Sequence, residues 1–101
     1  MYIINTSFHA GRQIADAVID DVRNSLMPLM TGSKLFHDIA MAEILVDVDP
    51  DCRSFTLQGL AHDLDKALDW LGGEGQGFFN ELHKRYGNNV VHFTTPMRIM
   101  Q

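Results

Sequence analysis

The sequence predicts an α+β protein of ferredoxin-like type, a β-α-β-β-α-β sandwich. Three observations indicate it. Tyr2 to His9 alternates in the manner of a half-buried strand, and apolar residues then recur at four-residue steps from Ile14 to Leu26, as in an amphipathic helix. A turn around Pro50 also separates two extended stretches. In two layers this order gives a four-stranded antiparallel sheet, spatial order 4-1-3-2, with two helices on one face.

The first half of the chain supplies strand one, helix one and strand two. Strand one begins at Tyr2, and Gly11 ends it. A proline inside a helix removes a backbone hydrogen bond, so Pro28 predicts a kink or a fresh turn, with Thr31-Gly32 as the stop. The stretch from Phe36 to Asp47 is predicted as strand two.

The second half repeats the pattern from a hairpin onwards. Strand three is predicted from Arg53 to about Gln58, and helical spacing follows from Leu60 to Leu71. The run "GGEGQG" at Gly72 to Gly77 interrupts that helix, because a glycine costs about 1 kcal/mol relative to alanine in a helical interior. The apolar stripe resumes from Phe78 to Tyr86, and strand four runs from Val90 to about Met97.

Length and composition limit the classes of function. A chain of 101 residues is predicted to form a single domain, 1–101. A net charge of -5 with eight Lys and Arg disfavours nucleic acid and anionic membranes as partners. The lone cysteine, Cys52, cannot form an internal disulfide, and no apolar stretch approaches the roughly 20 residues of a membrane span. We therefore expect a cytoplasmic protein.

The face of the sheet that the helices leave uncovered is predicted from strand alternation. Leaving Glu43 unpaired under the helices would be costly, so strand two is placed with Met41, Glu43 and Leu45 on the uncovered face. In strand four, Val91, Phe93 and Met97 are predicted to face the helices. The other side chains expected on the uncovered face are Ile3, Asn5, Ser7, His9, Ser54, Thr56, Gln58, His92 and Thr94.

This mixture of aliphatic, amide, hydroxyl and imidazole groups suits a partner better than water, and a second copy of the same sheet is the economical partner. We therefore expect a homodimer, with a small-molecule pocket between the sheets or, alternatively, a pure protein-interaction module. His9 and His92 should meet across strands one and four, and are the candidate catalytic proton carriers. The candidate ligand-binding residues are Asn5, Ser7, His9, Glu43, Thr56, Gln58, His92 and Thr94.

Other motifs favour structural interpretations. A metal site beside His9 and His92 would need a third ligand, and neither Glu43 nor His37 has a diagnostic spacing, so no metal is predicted. The acidic run "DVDPD" lacks the glycine and the later acidic residue of a calcium loop and is interpreted as a hairpin tip. The glycine run follows a helix rather than a strand, so it is not a dinucleotide fingerprint. No cofactor is required by the sequence.

Three stretches, "MYIINTSFH", "MPLMTG" and "ELHKRYGNNVVHFTTPM", give the chain a resemblance to a short bacterial family known as domain of unknown function 4286. The resemblance spans nearly the whole chain. It implies a ferredoxin-like relative of the dimeric α/β-barrel superfamily, without an established activity, so no functional residues are carried over. That superfamily includes haem-degrading monooxygenases that use an Asn of the first strand with a Trp and a His of the second helix. Asn5, Trp70 and His83 are the matching residues and define a haem-binding alternative.

Overall fold

The computed structural model describes residues 1–46 and 49–101. The strands are β1 Tyr2–Gly11, β2 His37–Glu43, β3 Cys52–Ala61 and β4 Val90–Arg98. The helices are α1 Ala15–Asp21, α2 Met27–Ser33, α3 Leu64–Gly72 and α4 Gln76–Tyr86. A π-helical segment, Val22–Leu26, joins α1 to α2, and a 3-10 turn, Gly87–Asn89, precedes β4. The predicted β-α-β-β-α-β order is confirmed.

The four strands form one antiparallel sheet in the order β2-β3-β1-β4, which is the predicted order read from the other edge. The long central strand β1 lies between β3 and β4, and its fully buried Phe8 faces the helices. Phe8 stacks on Phe55 of β3, with ring centroids 5.0 Å apart, and on Phe79 of α4 at 6.2 Å. The hydrophobic core therefore fills the space between the sheet and the helices.

The first helical stretch shows the irregularity predicted from Pro28. The π-helical segment lies directly before α2, and the proline occupies the first turn of α2, where its missing N–H matters least. The helix ends at Ser33, slightly later than the predicted Thr31-Gly32 stop, with Lys34 in the left-handed region at φ 62°. Ser33 closes this end, because its hydroxyl donates to the Met30 carbonyl at 2.7 Å and accepts from the Leu35 N–H at 3.2 Å.

The glycine run separates α3 from α4, as predicted. Leu60 belongs to β3 rather than to the helix, because β3 continues to Ala61. Trp70 of α3 is buried edge-on against Phe36, and its indole N–H donates to a Glu74 carboxylate oxygen at 3.1 Å. This hydrogen bond to Glu74 therefore anchors the segment between α3 and α4 to the core.

The predicted orientation of β4 is wrong. His92 lies opposite Phe8 and Thr94 opposite Thr6, so both polar side chains face the helices. Val91, Phe93 and Met97 instead lie on the uncovered side. The physical reason is that residues of helix α4 contact His92 at this edge of the core. These contacts stabilise the histidine on the helix side, so the more apolar set of side chains can lie on the other side.

The predicted orientation of β2 is wrong as well. Met41 and Glu43 lie opposite Leu57 and Phe55, which face the helices. Glu43 is tolerated there because its side chain remains 45% exposed and is paired with Arg53, whereas the prediction assumed a buried, unpaired carboxylate. Leu45 lies beyond the end of the strand and is 89% exposed.

The turn at Pro50 is present in the part that the structure describes. The Cys52 N–H donates to the Asp49 carbonyl at 3.1 Å, and the Asp51 N–H donates to the Asp49 side chain at 2.9 Å. Asp47, the predicted end of strand two and the first acidic residue of the predicted hairpin tip, lies outside the described residues.

Candidate functional site: the open face of the sheet

We call the side of the sheet that is turned away from the helices the open face. Strand alternation and register arrange its side chains in four rows that cross the sheet, each containing residues of β3, β1 and β4 and, in three rows, of β2. From one end to the other, the rows are His37–Leu60–Ile3–Met97, Ala40–Gln58–Asn5–Thr95, Ala42–Thr56–Ser7–Phe93 and Ser54–His9–Val91.

No side chain in these four rows is Asp, Glu, Lys or Arg, although those residues make up 21% of the chain. Asp38 lies at the bulge of β2 between His37 and Ala40, outside the paired positions, and its carboxylate is 3.3 Å from Nδ1 of His37. An antiparallel sheet that faces water usually carries polar and charged residues on that side. Depletion of charged residues is instead typical of the core of a protein interface.

The edge strand β4 exposes large apolar side chains on the open face. Val91 is 51% exposed, Phe93 53% and Met97 37%. Ile3 and Leu60, in the same row as Met97, are half-buried. A contiguous apolar patch of this kind on a folded chain marks an interaction or ligand surface.

The middle of the open face is polar and has short side chains. Asn5 and Gln58 lie opposite each other on β1 and β3, and Ser7 and Thr56 form the next pair. The side-chain oxygen of Asn5 is buried and has no hydrogen-bond partner among the described residues. Buried polar atoms in folded proteins are nearly always paired, so this acceptor is an exception within the part of the chain that the structure describes.

His9 lies at one end of the polar strip. Its Nδ1 is 2.5 Å from the hydroxyl oxygen of Ser54 on β3. Its ring stacks on Phe93 of β4, with ring centroids 5.7 Å apart and the planes inclined by 25°. The imidazole is therefore held by a hydroxyl on one side and an aromatic ring on the other.

His92 does not meet His9, so the predicted pairing of the two histidines is wrong. His9 lies opposite Val91, and the next residue along β4 points to the other side of the sheet. There His92 stacks on Phe79 at 4.3 Å, and its Nδ1 lies 2.9 Å from Nε2 of His83 on α4. Burial, and then the charge of His83, lower the pKa of His92 below its ordinary value.

The remaining predicted ligand-binding residues are divided between the two sides of the sheet. Asn5, Ser7, His9, Thr56 and Gln58 lie together on the open face, as predicted. Glu43, His92 and Thr94 lie on the helix side, where the Thr94 and Thr6 hydroxyl oxygens are 2.8 Å apart.

The residues of the haem alternative do not converge on one site. Asn5 lies on the open face, whereas Trp70 is buried in the core and His83 contacts His92 on the helix side. The sheet therefore separates the asparagine from the other two residues.

A cavity that the sequence did not predict lies between α1 and strands β2 and β3, with a volume of about 480 Å³. Ile19, Met41 and Phe55 contribute its apolar lining. At its rim the Arg53 guanidinium donates to Glu43 at 3.0 Å and to Asp16 at 2.6 Å, and these bonds raise the pKa of Arg53. No local pattern in the sequence indicates this cluster, because it joins residues far apart along the chain.

Within residues 1–46 and 49–101, no group of three or more His, Cys, Asp or Glu side chains is placed to hold a metal ion. None of the helices in the same ranges is long and apolar enough to cross a membrane.

Comparisons with known proteins agree on the architecture. A family model described as a domain of unknown function (DUF4286) matches residues 1–100. A candidate antibiotic biosynthesis monooxygenase from Deinococcus radiodurans superposes with a TM-score of 0.67 at 16% identity, over 100% of this chain and 94% of that one. A dimeric ferredoxin-like protein from an uncultured marine organism gives 0.67 at 10% identity, over 99% and 96%. No curated protein matches the chain. At these identities the two structures show the fold alone.

Proposed function

The chain belongs to the DUF4286 family, and from that premise we propose that it works as a homodimer, with the open faces of two sheets packed together around a small organic molecule. The observation that carries the proposal is the open face itself. It has no charged side chain in its four rows, while Val91, Phe93 and Met97 are exposed along one edge.

A second copy of the same face is the simplest surface that could cover it. In a two-fold dimer the same patch is used by both subunits, so each apolar edge would pack against the partner's sheet. Removing Val91, Phe93 and Met97 from water is favourable by about 25 cal/mol for each Å² of apolar surface buried. The solved protein of the same fold that is described as dimeric supports an assembly of two chains.

The pocket follows from the sizes of the side chains. Packed sheets lie about 10 Å apart, and side chains of both inner faces normally fill that space. In the middle rows of this sheet, however, Ala40, Ala42, Ser7 and Thr56 are short. Two such faces would leave a space lined by hydroxyls and amides and bounded by apolar residues, which is the usual composition of a ligand site.

Of the two histidines predicted as proton carriers, His9 is the one that this arrangement brings to the ligand. Its Nδ1 contacts the Ser54 hydroxyl, so a proton can pass between them while the other ring nitrogen is free to act. His92, beneath the sheet, has no access to that space.

The second candidate function is a pure interaction module, in which the two faces close on each other without a ligand. The exposed apolar edge of β4 favours it, because those side chains need only a complementary surface. Ligand binding to the dimer separates the two functions.

Light scattering of two variants tests the dimer. We expect the wild-type protein to have twice the mass of one chain, and Phe93→Lys to have the mass of one chain, because it would bury an unpaired charge in the interface. Leu29→Lys is the matched control, since Leu29 is an exposed apolar residue of α2 on the helix side and should leave the dimer intact. A wild-type monomer, or an unchanged mass for Phe93→Lys, would contradict the proposal.

A further inference from the structure

We infer that the molecule held between the sheets is uncharged and planar and carries both hydrogen-bond donors and acceptors, as an aromatic carboxamide does. The inference deepens the homodimer proposed above and rests on it. Three features of the open face lead to it: the absence of Asp, Glu, Lys and Arg from its rows, a pair of opposed amides beside a pair of opposed hydroxyls, and a stacked pair of rings.

The first feature disfavours a charged ligand. Moving a charged ligand out of water has a large desolvation cost unless a counter-ion meets it. The four rows contain no Asp, Glu, Lys or Arg to serve as one, and Glu43, Arg53 and Arg98 lie on the helix side, while Asp38 at the bulge of β2 contacts His37. Both copies of the face would present the same rows, in which the histidines are the only side chains that can take up a charge.

The second feature requires a ligand that both donates and accepts. Asn5 and Gln58 are directly opposed, which places their Cβ atoms roughly 5 Å apart, and Ser7 and Thr56 form the adjacent pair. Amides and hydroxyls each supply both kinds of group. The Asn5 oxygen lacks a donor among the described residues, and a ligand could supply one after a small movement of the buried amide.

The third feature favours a flat molecule. The His9 and Phe93 rings stack within 25° of parallel, and Phe93 is 53% exposed. An aromatic ligand can extend this stack, which is worth about 0.5–1.5 kcal/mol beyond the area that it buries. The adjoining hydroxyls of Ser54 and Thr56 can then reach its polar group.

Three nearly isosteric probes test the inference: benzamide, benzoate and benzamidine share a ring and a shape but are neutral, anionic and cationic. Each is titrated into the wild-type protein while backbone amide NMR shifts are followed and the mass is checked by light scattering. We expect benzamide to shift β1, β3 and β4 residues of the open face and to bind at least tenfold more tightly than either ion. Thr56→Val should weaken the binding of benzamide at least threefold without changing the mass of the dimer. Thr31→Val, at an exposed position of α2, should leave the binding of benzamide unchanged.

The outcomes are distinguishable. A dimer that binds benzamide selectively, with loss in Thr56→Val, supports the inference. A dimer that binds benzoate or benzamidine as tightly as benzamide, that binds none of the probes, or whose shifts fall on the Arg53 cavity overturns the inference and leaves the dimer standing. A monomer overturns the proposed function itself.

Discussion

Nε2 of His83 lies 2.9 Å from Nδ1 of His92, so a single hydrogen bond between two imidazoles joins helix α4 to the edge strand β4. One ring must donate an N–H while the other offers a lone pair, which requires that at least one ring is neutral. The stack of His92 on Phe79 withdraws the same ring from water.

Stability should therefore depend on pH through His92. Burial and the His83 charge lower the pKa of His92, so below the ordinary histidine value of about 6.5 the unfolded chain binds more protons than the folded one. The stabilisation is intact above that value and is lost as the pH falls towards the lowered pKa. Urea unfolding at pH 5 and pH 7.5, at one protein concentration, should show a smaller loss for His92→Phe than for wild type. His62→Phe, at an exposed histidine away from α4, is the control that should keep the wild-type loss; equal losses in wild type and His92→Phe would contradict the prediction.

Arg53 should stabilise the edge of the sheet by joining α1 to β2. Its guanidinium contacts Asp16 and Glu43 while its own side chain is 27% exposed, so we expect Arg53→Met to lower the free energy of unfolding by roughly 1 kcal/mol after allowance for solvent screening. Added salt should reduce the difference between the two proteins. Arg23→Met removes a pair whose side chains are 59% and 64% exposed and should have no measurable effect. Equal losses in the free energy of unfolding for the two substitutions would contradict a bridging role for Arg53.

Two glycines should respond in opposite directions to a larger side chain. A Cβ on Gly59 of β3 would lie 3.3 Å from the Phe36 Cβ and 3.4 Å from Cγ1 of Ile39, so Gly59→Val should cost about 1–3 kcal/mol by overpacking. A Cβ on Gly77, exposed in α4, would have nothing within 4 Å, so Gly77→Ala should gain roughly 0.5–1 kcal/mol. Thermal and urea unfolding measure both. A neutral Gly59→Val would mean that β2 can move away from β3.

The strand order and the helix break could be predicted from the sequence because their signals are local. β1 alternates along its length, and the glycine run is incompatible with one continuous helix at any position in the fold. The positions of Asn5, Ser7, His9, Thr56 and Gln58 on the open face followed from the same alternation.

The faces of β2 and β4 could not be predicted in this way because distant residues decide them. Glu43 is stable on the helix side because its side chain is partly exposed and Arg53, ten positions later, pairs with it. His92 is stable on the helix side because its ring stacks on Phe79 and contacts His83 of α4. Hydrophobicity alone favoured Val91 and Phe93 for the core, and this error also produced the wrong pairing of His9 with His92.

The 3-10 turn Gly87–Asn89 has a consequence for how insertions and deletions are tolerated. A slip of one residue along β1 would exchange the two sides of β4, sending Val91 and Phe93 inward and Val90 and His92 outward. Judged by hydrophobicity alone, the exchanged strand would also present a suitable apolar face to the core. We expect the length of this three-residue connector, between the end of α4 and the first pair of β4, to act together with the α4 contacts of His92 in selecting the observed register.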